Sequence, residues 1–94
     1  MITVVKVSPE AQKALKKIPS PLGAKFRRWV VAVQRVGLLE VRKNPGYHDE
    51  PLKGKWKNYR SIRLNRAYRA FYIVKQNTVK FIVVERINKH EYKK

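Results

Sequence analysis

The side chains best suited to acid–base chemistry fall in two runs of this 94-residue chain. Glu50 lies in His48-Asp49-Glu50-Pro51-Leu52-Lys53-Gly54, and His90 and Tyr92 lie in Asn88-Lys89-His90-Glu91-Tyr92. A carboxylate, an imidazole and guanidinium groups suit cleavage of RNA without a metal. One group takes the 2′-OH proton, another protonates the leaving 5′-oxygen, and cations hold the charge on the pentavalent phosphate. From the end of the first run toward the second stand Lys53, Lys55, Lys57, Arg60, Arg63, Arg66 and Arg69, with Trp56, Tyr59 and Tyr68 interleaved. Such cations hold phosphates, and such rings stack on unpaired bases. Each candidate also has a plainer role. Glu50 reads as a loop acid pairing with lysines, His90 as an exposed tail residue, Tyr92 as the tail's apolar anchor and His48 as a solvated loop residue. Trp29 reads as core, and Trp56 as either core or stacking platform.

Charge sets the class of partner. Twenty-three Lys and Arg against six Asp and Glu give a net +17, the signature of a polyanion-binding surface. Residues 1–40 carry a balance of +6 and residues 41–94 a balance of +11, so the excess concentrates around the candidate chemistry. A hydrophobic share of 44% places the chain with folded proteins, and its length predicts a single domain over 1–94. Without cysteine there is no disulfide framework, thiolate zinc site or thiol nucleophile, and two histidines cannot build a three-histidine metal centre. No metal and no cofactor are expected. The longest apolar run, Trp29 to Val33, is far too short for a membrane span, and Met1 to Val7 does not read as a signal peptide. A cytoplasmic protein with no membrane partner is expected.

The elements that must position these groups follow from pattern. Ile2–Val7 is short and β-branched, a strand. Ser8-Pro9-Glu10 predicts a helix start, with Ala11, Ala14, Leu15 and Ile18 on one apolar face. Pro19-Ser20-Pro21 breaks the chain and restarts it, with Ser20 as cap. Leu22, Phe26, Trp29, Val30, Val33 and Val36 then form a longer stripe that Gly37 ends. From Leu38 to Lys57 the prolines and glycines predict irregular backbone around a short extended piece at Leu38–Val41. Strands are predicted over Tyr59–Leu64, Tyr68–Val74 and Val79–Ile87, joined by tight turns at Asn65-Arg66 and Gln76-Asn77. If the first turn uses three residues centred on Arg66, Arg63 and Arg69 face each other. Like charges so placed repel, and a phosphate between them would relieve the repulsion. The order β-α-α-(loop)-β-β-β defines an α+β fold with two N-terminal helices packed on a small, mainly antiparallel sheet.

From Glu50 onward the chain resembles the RelE/ParE superfamily of toxins from type II toxin–antitoxin systems. The resemblance is carried by Glu50-Pro51-Leu52-Lys53-Gly54, Tyr59-Arg60-Ser61-Ile62-Arg63-Leu64, Tyr68-Arg69-Ala70-Phe71-Tyr72 and the closing Val84 to Tyr92. It implies the same β-α-α-β-β-β fold, and its RelE/YoeB-like branch implies a metal-independent mRNA endonuclease acting in the ribosomal A site and inhibiting translation. On that resemblance Glu50 is the general base, His90 the general acid, and Arg63 and Arg69 the transition-state stabilisers. Tyr92 orients or stacks on the target base. Lys53, Lys55 and Lys57 hold RNA backbone, with Arg60, Arg66 and Lys89 as further RNA contacts. In the YoeB-like pattern His and Tyr are adjacent at the terminus, whereas Glu91 separates them here, leaving His90, Tyr92 and Lys89 as alternatives for the acid. The implied partners are a cognate acidic antitoxin, mRNA and the ribosome, in a homodimer or a toxin–antitoxin hetero-oligomer. The alternatives are a ParE-like inhibitor of DNA gyrase and a non-catalytic nucleic-acid-binding protein of the same fold.

Overall fold

Residues 1–86 are described by the computed structural model. The first strand, β1 (Val4–Val7), leads directly into helix α1 (Pro9–Lys17). Ser8 caps that helix as its sequence predicts: its Oγ accepts from the Ala11 N–H at 3.0 Å and donates to the Ile82 carbonyl at 2.8 Å. One side chain therefore starts the helix and ties it to the sheet.

Helix α2 (Ser20–Val36) differs at its start from the pattern reading. Pro19, rather than Ser20, is the N-cap, and no side chain caps the first turn. Its predicted stripe buries Leu22, Phe26, Trp29 and Val33, whereas Val36 at the far end is exposed. Gly37 ends the helix at φ 88°, a conformation that favours glycine; a Cβ there would meet Met1 Cγ at 2.6 Å.

The expected extended piece after Gly37 is a short helix instead, α3 (Leu38–Arg42). Leu38 and Val41 lie three residues apart and are both buried, a spacing that a helical turn places on one face. Two 3₁₀ turns follow, Pro45–Tyr47 and Gly54–Trp56, with a two-residue strand between them, β2 (Glu50–Pro51). The remaining strands are β3 (Arg60–Arg63), β4 (Tyr68–Lys75) and β5 (Thr78–Arg86). They form a five-stranded sheet in the order β1-β5-β4-β3-β2, in which only the β1–β5 pairing is parallel. The expected α+β architecture is what the chain adopts.

Helices cover one face of this sheet. Trp29 sits against Tyr72 and Phe81 at ring separations of 5.5 and 5.2 Å, and Phe26 meets Phe81 edge-on at 4.7 Å. A bulge keeps the core in phase. Phe71 pairs with Val83 but Tyr72 pairs with Phe81, so Ile82 is the extra residue on β5. Val79, Phe81 and Val84 consequently all reach the helical side, which strict alternation would not allow. The opposite face carries Ser61, Arg63, Arg69 and Phe71, and the candidate chemistry lies there. Among the described residues no helix is long and apolar enough to cross a membrane.

Candidate active site

The β3–β4 hairpin settles the register on which the arginine pair depends. Asn65 Oδ1 accepts from the N–H groups of Ala67 and Tyr68 at 2.8 and 2.9 Å, bending the chain through Asn65, Arg66 and Ala67. This is the three-residue turn rather than the two-residue one, and Arg63 stands directly opposite Arg69. The Gln76-Asn77 turn is the tight kind expected, with φ of 52° and 58°.

Arg69 is only 6% exposed, and its guanidinium is held from several sides. Nε donates to Ser61 Oγ at 2.7 Å, while one terminal nitrogen donates to the His48 carbonyl at 2.6 Å and to the Ser61 carbonyl at 3.2 Å. Glu50 Oε1 lies 3.5 Å from that nitrogen. Burial pulls the Arg69 pKa below its ordinary value; the Glu50 carboxylate opposes this and the Arg63 charge adds to it. The group remains a cation at neutral pH, locked in one orientation by its fork of donors.

Glu50 belongs to β2, whose backbone pairs it with Ser61. Residues directly opposite share a face, so Glu50, Ser61 and Phe71 form one row, and Arg63 and Arg69 form the next. The preceding residue anchors this segment from the other side. Asp49, its side chain fully buried, accepts from Arg60 Nε at 2.6 Å and from the Tyr72 hydroxyl at 2.7 Å. Arg42 Nε in turn donates to the Tyr72 oxygen at 3.4 Å. Burial and the Asp49 charge push the Tyr72 phenol well above its usual range. Burial disfavours the Arg60 cation, but its hydrogen bond to Asp49 and that residue's charge outweigh burial and raise its pKa.

The candidate residues from the sequence thus separate by position. Glu50, Arg63 and Arg69 converge on the outer face. Lys53, Lys55, Lys57 and Arg66 are exposed. The first three surround the Gly54–Trp56 turn, where Trp56 packs edge-on against Phe71 at 5.0 Å and Tyr59 at 5.3 Å. Trp56 is therefore a partly buried lid on the outer face, with Lys55 Nζ 5.9 Å from its ring centre. Arg60 points the other way, into the network with Asp49 and Tyr72. Lys89, His90 and Tyr92 lie outside the described residues.

Two residues that pattern reasoning left aside join the cluster. His48 adopts a left-handed backbone, φ 44°, and places Nε2 3.4 Å from a terminal nitrogen of Arg63. Lys25 on α2 donates to the Gly46 carbonyl at 3.2 Å and lies 5.5 Å from the Tyr47 ring centre. Burial, then the charges of Arg63 and Arg28, lower its pKa. The sequence carries no local signal for Lys25, which stands 38 positions before Arg63. For His48 the only hint is its place two residues before Glu50. Among the described residues no three His, Asp or Glu side chains gather as a metal site would require.

The class so defined is a small α+β protein whose sheet face gathers a cross-strand pair of arginines beside a carboxylate and an imidazole. The family model described as the ParE toxin of the type II toxin–antitoxin system parDE matches residues 5–92. The chain belongs to this toxin family, within the RelE/ParE superfamily that its motifs resemble. A search of curated proteins returns no match. Among solved structures, the chain is similar to a YoeB dimer from Staphylococcus aureus, with 22% identity, a TM-score of 0.69, and 94% of this chain and 100% of that chain covered. It is also similar to the RelBE2 toxin–antitoxin complex from Mycobacterium tuberculosis, at 19% identity, a TM-score of 0.66, and coverage of 93% and 100%. A YoeB/ParE toxin from Agrobacterium tumefaciens gives 16% identity, a TM-score of 0.67, and coverage of 90% and 99%. Identities this low speak for the fold alone.

Proposed function

We propose that this toxin is a metal-independent mRNA endonuclease that cuts at the ribosome by 2′-OH attack and so inhibits translation. The observation that supports this most is the convergence of Glu50 with Arg69 and Arg63 on one face, the carboxylate 3.5 Å from the Arg69 guanidinium. Glu50 takes the 2′-OH proton. Arg63 and Arg69 bind the scissile phosphate, and their fixed charges stabilise the additional negative charge of the transition state. Lys53, Lys55, Lys57 and Arg66 hold flanking phosphates. On the family resemblance His90, Tyr92 and Lys89 of the tail are the candidates for the leaving-group proton and for contact with the target base.

A cognate acidic antitoxin restrains the activity. Helix α2 contains no acidic residue, and its outward face bears a shallow groove of about 420 Å³ with Arg27, Arg28 and Arg35 around the half-exposed Val31. That surface suits an acidic amphipathic segment. A second reading is ParE-like inhibition of DNA gyrase, since the matched family takes its name from a ParE toxin. A plain nucleic-acid-binding protein of this fold would share the basic face without the chemistry.

Induced expression in bacteria, with primer extension on an abundant mRNA, separates these readings. New 5′ ends inside translated codons are expected with the wild type and not with Arg69→Lys. Growth arrest with intact mRNA would transfer the assignment to gyrase. Neither arrest nor cuts would leave the non-catalytic reading.

A further inference from the structure

His48 has no task in the scheme above, yet it stands at the arginine pair. Its left-handed backbone is uncommon for a residue with a Cβ and is held by the 2.6 Å bond from Arg69 to its carbonyl. That anchor leaves the ring beside Arg63, with Nε2 3.4 Å from the guanidinium. Glu50 stands at the other arginine, 3.5 Å from Arg69. Arg63 and Arg69 are direct cross-strand neighbours, so one phosphate can engage both. His48 and Glu50 stand two residues apart in the segment beside β3, so a phosphate on the arginine pair meets the imidazole at Arg63 and the carboxylate at Arg69. Cleavage by 2′-OH attack needs a base and an acid at one phosphate, one for each end of the displacement.

We propose that His48 is the general acid of the cleavage reaction, donating its proton to the departing 5′-oxygen. This rests on the endonuclease reading and replaces the tail in that one role. The 2′-oxygen attacks phosphorus as Glu50 removes its proton. The bond from phosphorus to the 5′-oxygen breaks, and that oxygen takes the proton from the imidazolium of His48. The products are a 2′,3′-cyclic phosphate and a 5′-hydroxyl, with no oxidant, reductant or further reactant. His48 and Glu50 exchange protons with water to restore the starting state.

The test replaces the leaving 5′-oxygen of a programmed mRNA with sulfur, because a thiolate departs without a proton. His48→Gln and His90→Gln are compared with the wild type in single-turnover cleavage on ribosomes. His48→Gln is expected to slow cleavage of the oxygen substrate roughly 10²–10⁴-fold and to approach the wild-type rate on the sulfur substrate. His90→Gln is expected to show no such selective recovery. Wild-type rates from His48→Gln on the oxygen substrate would overturn the assignment. So would equal losses on both substrates, or selective recovery in His90→Gln. Failure of the wild type itself to cut either RNA would overturn the endonuclease reading, and this inference with it.

Discussion

Arg69 carries two duties that substitution can separate. Its charge faces the proposed phosphate site, and its donors hold Ser61 and the His48 carbonyl in place. Arg69→Ala removes both and leaves buried acceptors without their donor, at a cost of about 1–3 kcal/mol in stability. Arg69→Lys keeps a cation but not the fork, and should cut activity ~10²–10³-fold with a smaller loss of stability. Thermal melts alongside single-turnover assays distinguish the two effects; equal cleavage by Arg69→Lys and wild type would remove the guanidinium from the mechanism. Glu50 is simpler, since its side chain is 45% exposed and supports little else. Glu50→Gln should retain the melting temperature while losing about 10²–10⁴-fold in cleavage, and retained activity would rule it out as the base.

At the scale of elements, the segment from His48 to Pro51 is held from both faces of the sheet. Arg69 grips it from the outer face, and Arg60 and Tyr72 grip Asp49 from the helical side. Asp49→Ala takes the carboxylate from Arg60 and leaves the buried Tyr72 hydroxyl without an acceptor for its proton. It should destabilise the protein by about 3 kcal/mol, the low end for breaking a buried pair, because Arg60 keeps a quarter of its side chain in water. Denaturant titration measures this directly. Tyr72 gives the same network a pH signature. Its folded pKa is raised, so above the ordinary tyrosine value the unfolded chain releases a proton that the folded chain retains. The Tyr72 contribution to stability is present below about pH 10 and is lost as pH rises beyond it. Tyr72→Phe should flatten that alkaline decline, and an unchanged slope would place its cause elsewhere.

How far these elements were legible depended on whether local signals were decisive. Ser8-Pro9 marks a helix start because both residues act within one turn. The Arg63–Arg69 pairing stayed conditional, because Asn65-Arg66 fits a two-residue turn as well as a three-residue one, and only the bonds of the Asn65 side chain decide. Leu38–Val41 misled because Leu-Leu-Glu-Val satisfies a strand pattern as well as a single helical turn, and only the burial of Leu38 and Val41 together decides. Strand β2 is two residues long, too short for any periodicity. Arg60 looked like its basic neighbours because facing is set by register with Tyr72, and its partner Asp49 lies 11 residues away. His48 reached the site through a left-handed turn and a distant arginine, neither of which leaves a mark on its immediate sequence.

Over the whole molecule, the proposed function has binding and chemistry share one face. The net +17 draws any polyanion, and the exposed lysines around the Gly54–Trp56 turn lie on the rim of the site. Lys53→Ala and Lys57→Ala should each weaken RNA or ribosome binding and reduce the slope of log affinity against log salt by about 0.7 per lost single-strand phosphate contact. An unaltered slope would show that they touch no phosphate. The central claim is that the arginine pair and Glu50 drive attack by the 2′-hydroxyl. The most direct measurement places a single 2′-deoxy nucleotide at the scissile position of an mRNA on programmed ribosomes and maps products by end-group chemistry. Cleavage of the all-ribose RNA to a 2′,3′-cyclic phosphate and a 5′-hydroxyl, with none at the 2′-deoxy site, is the predicted result. Cleavage at the deoxy position, or products bearing a 5′-phosphate, would contradict it.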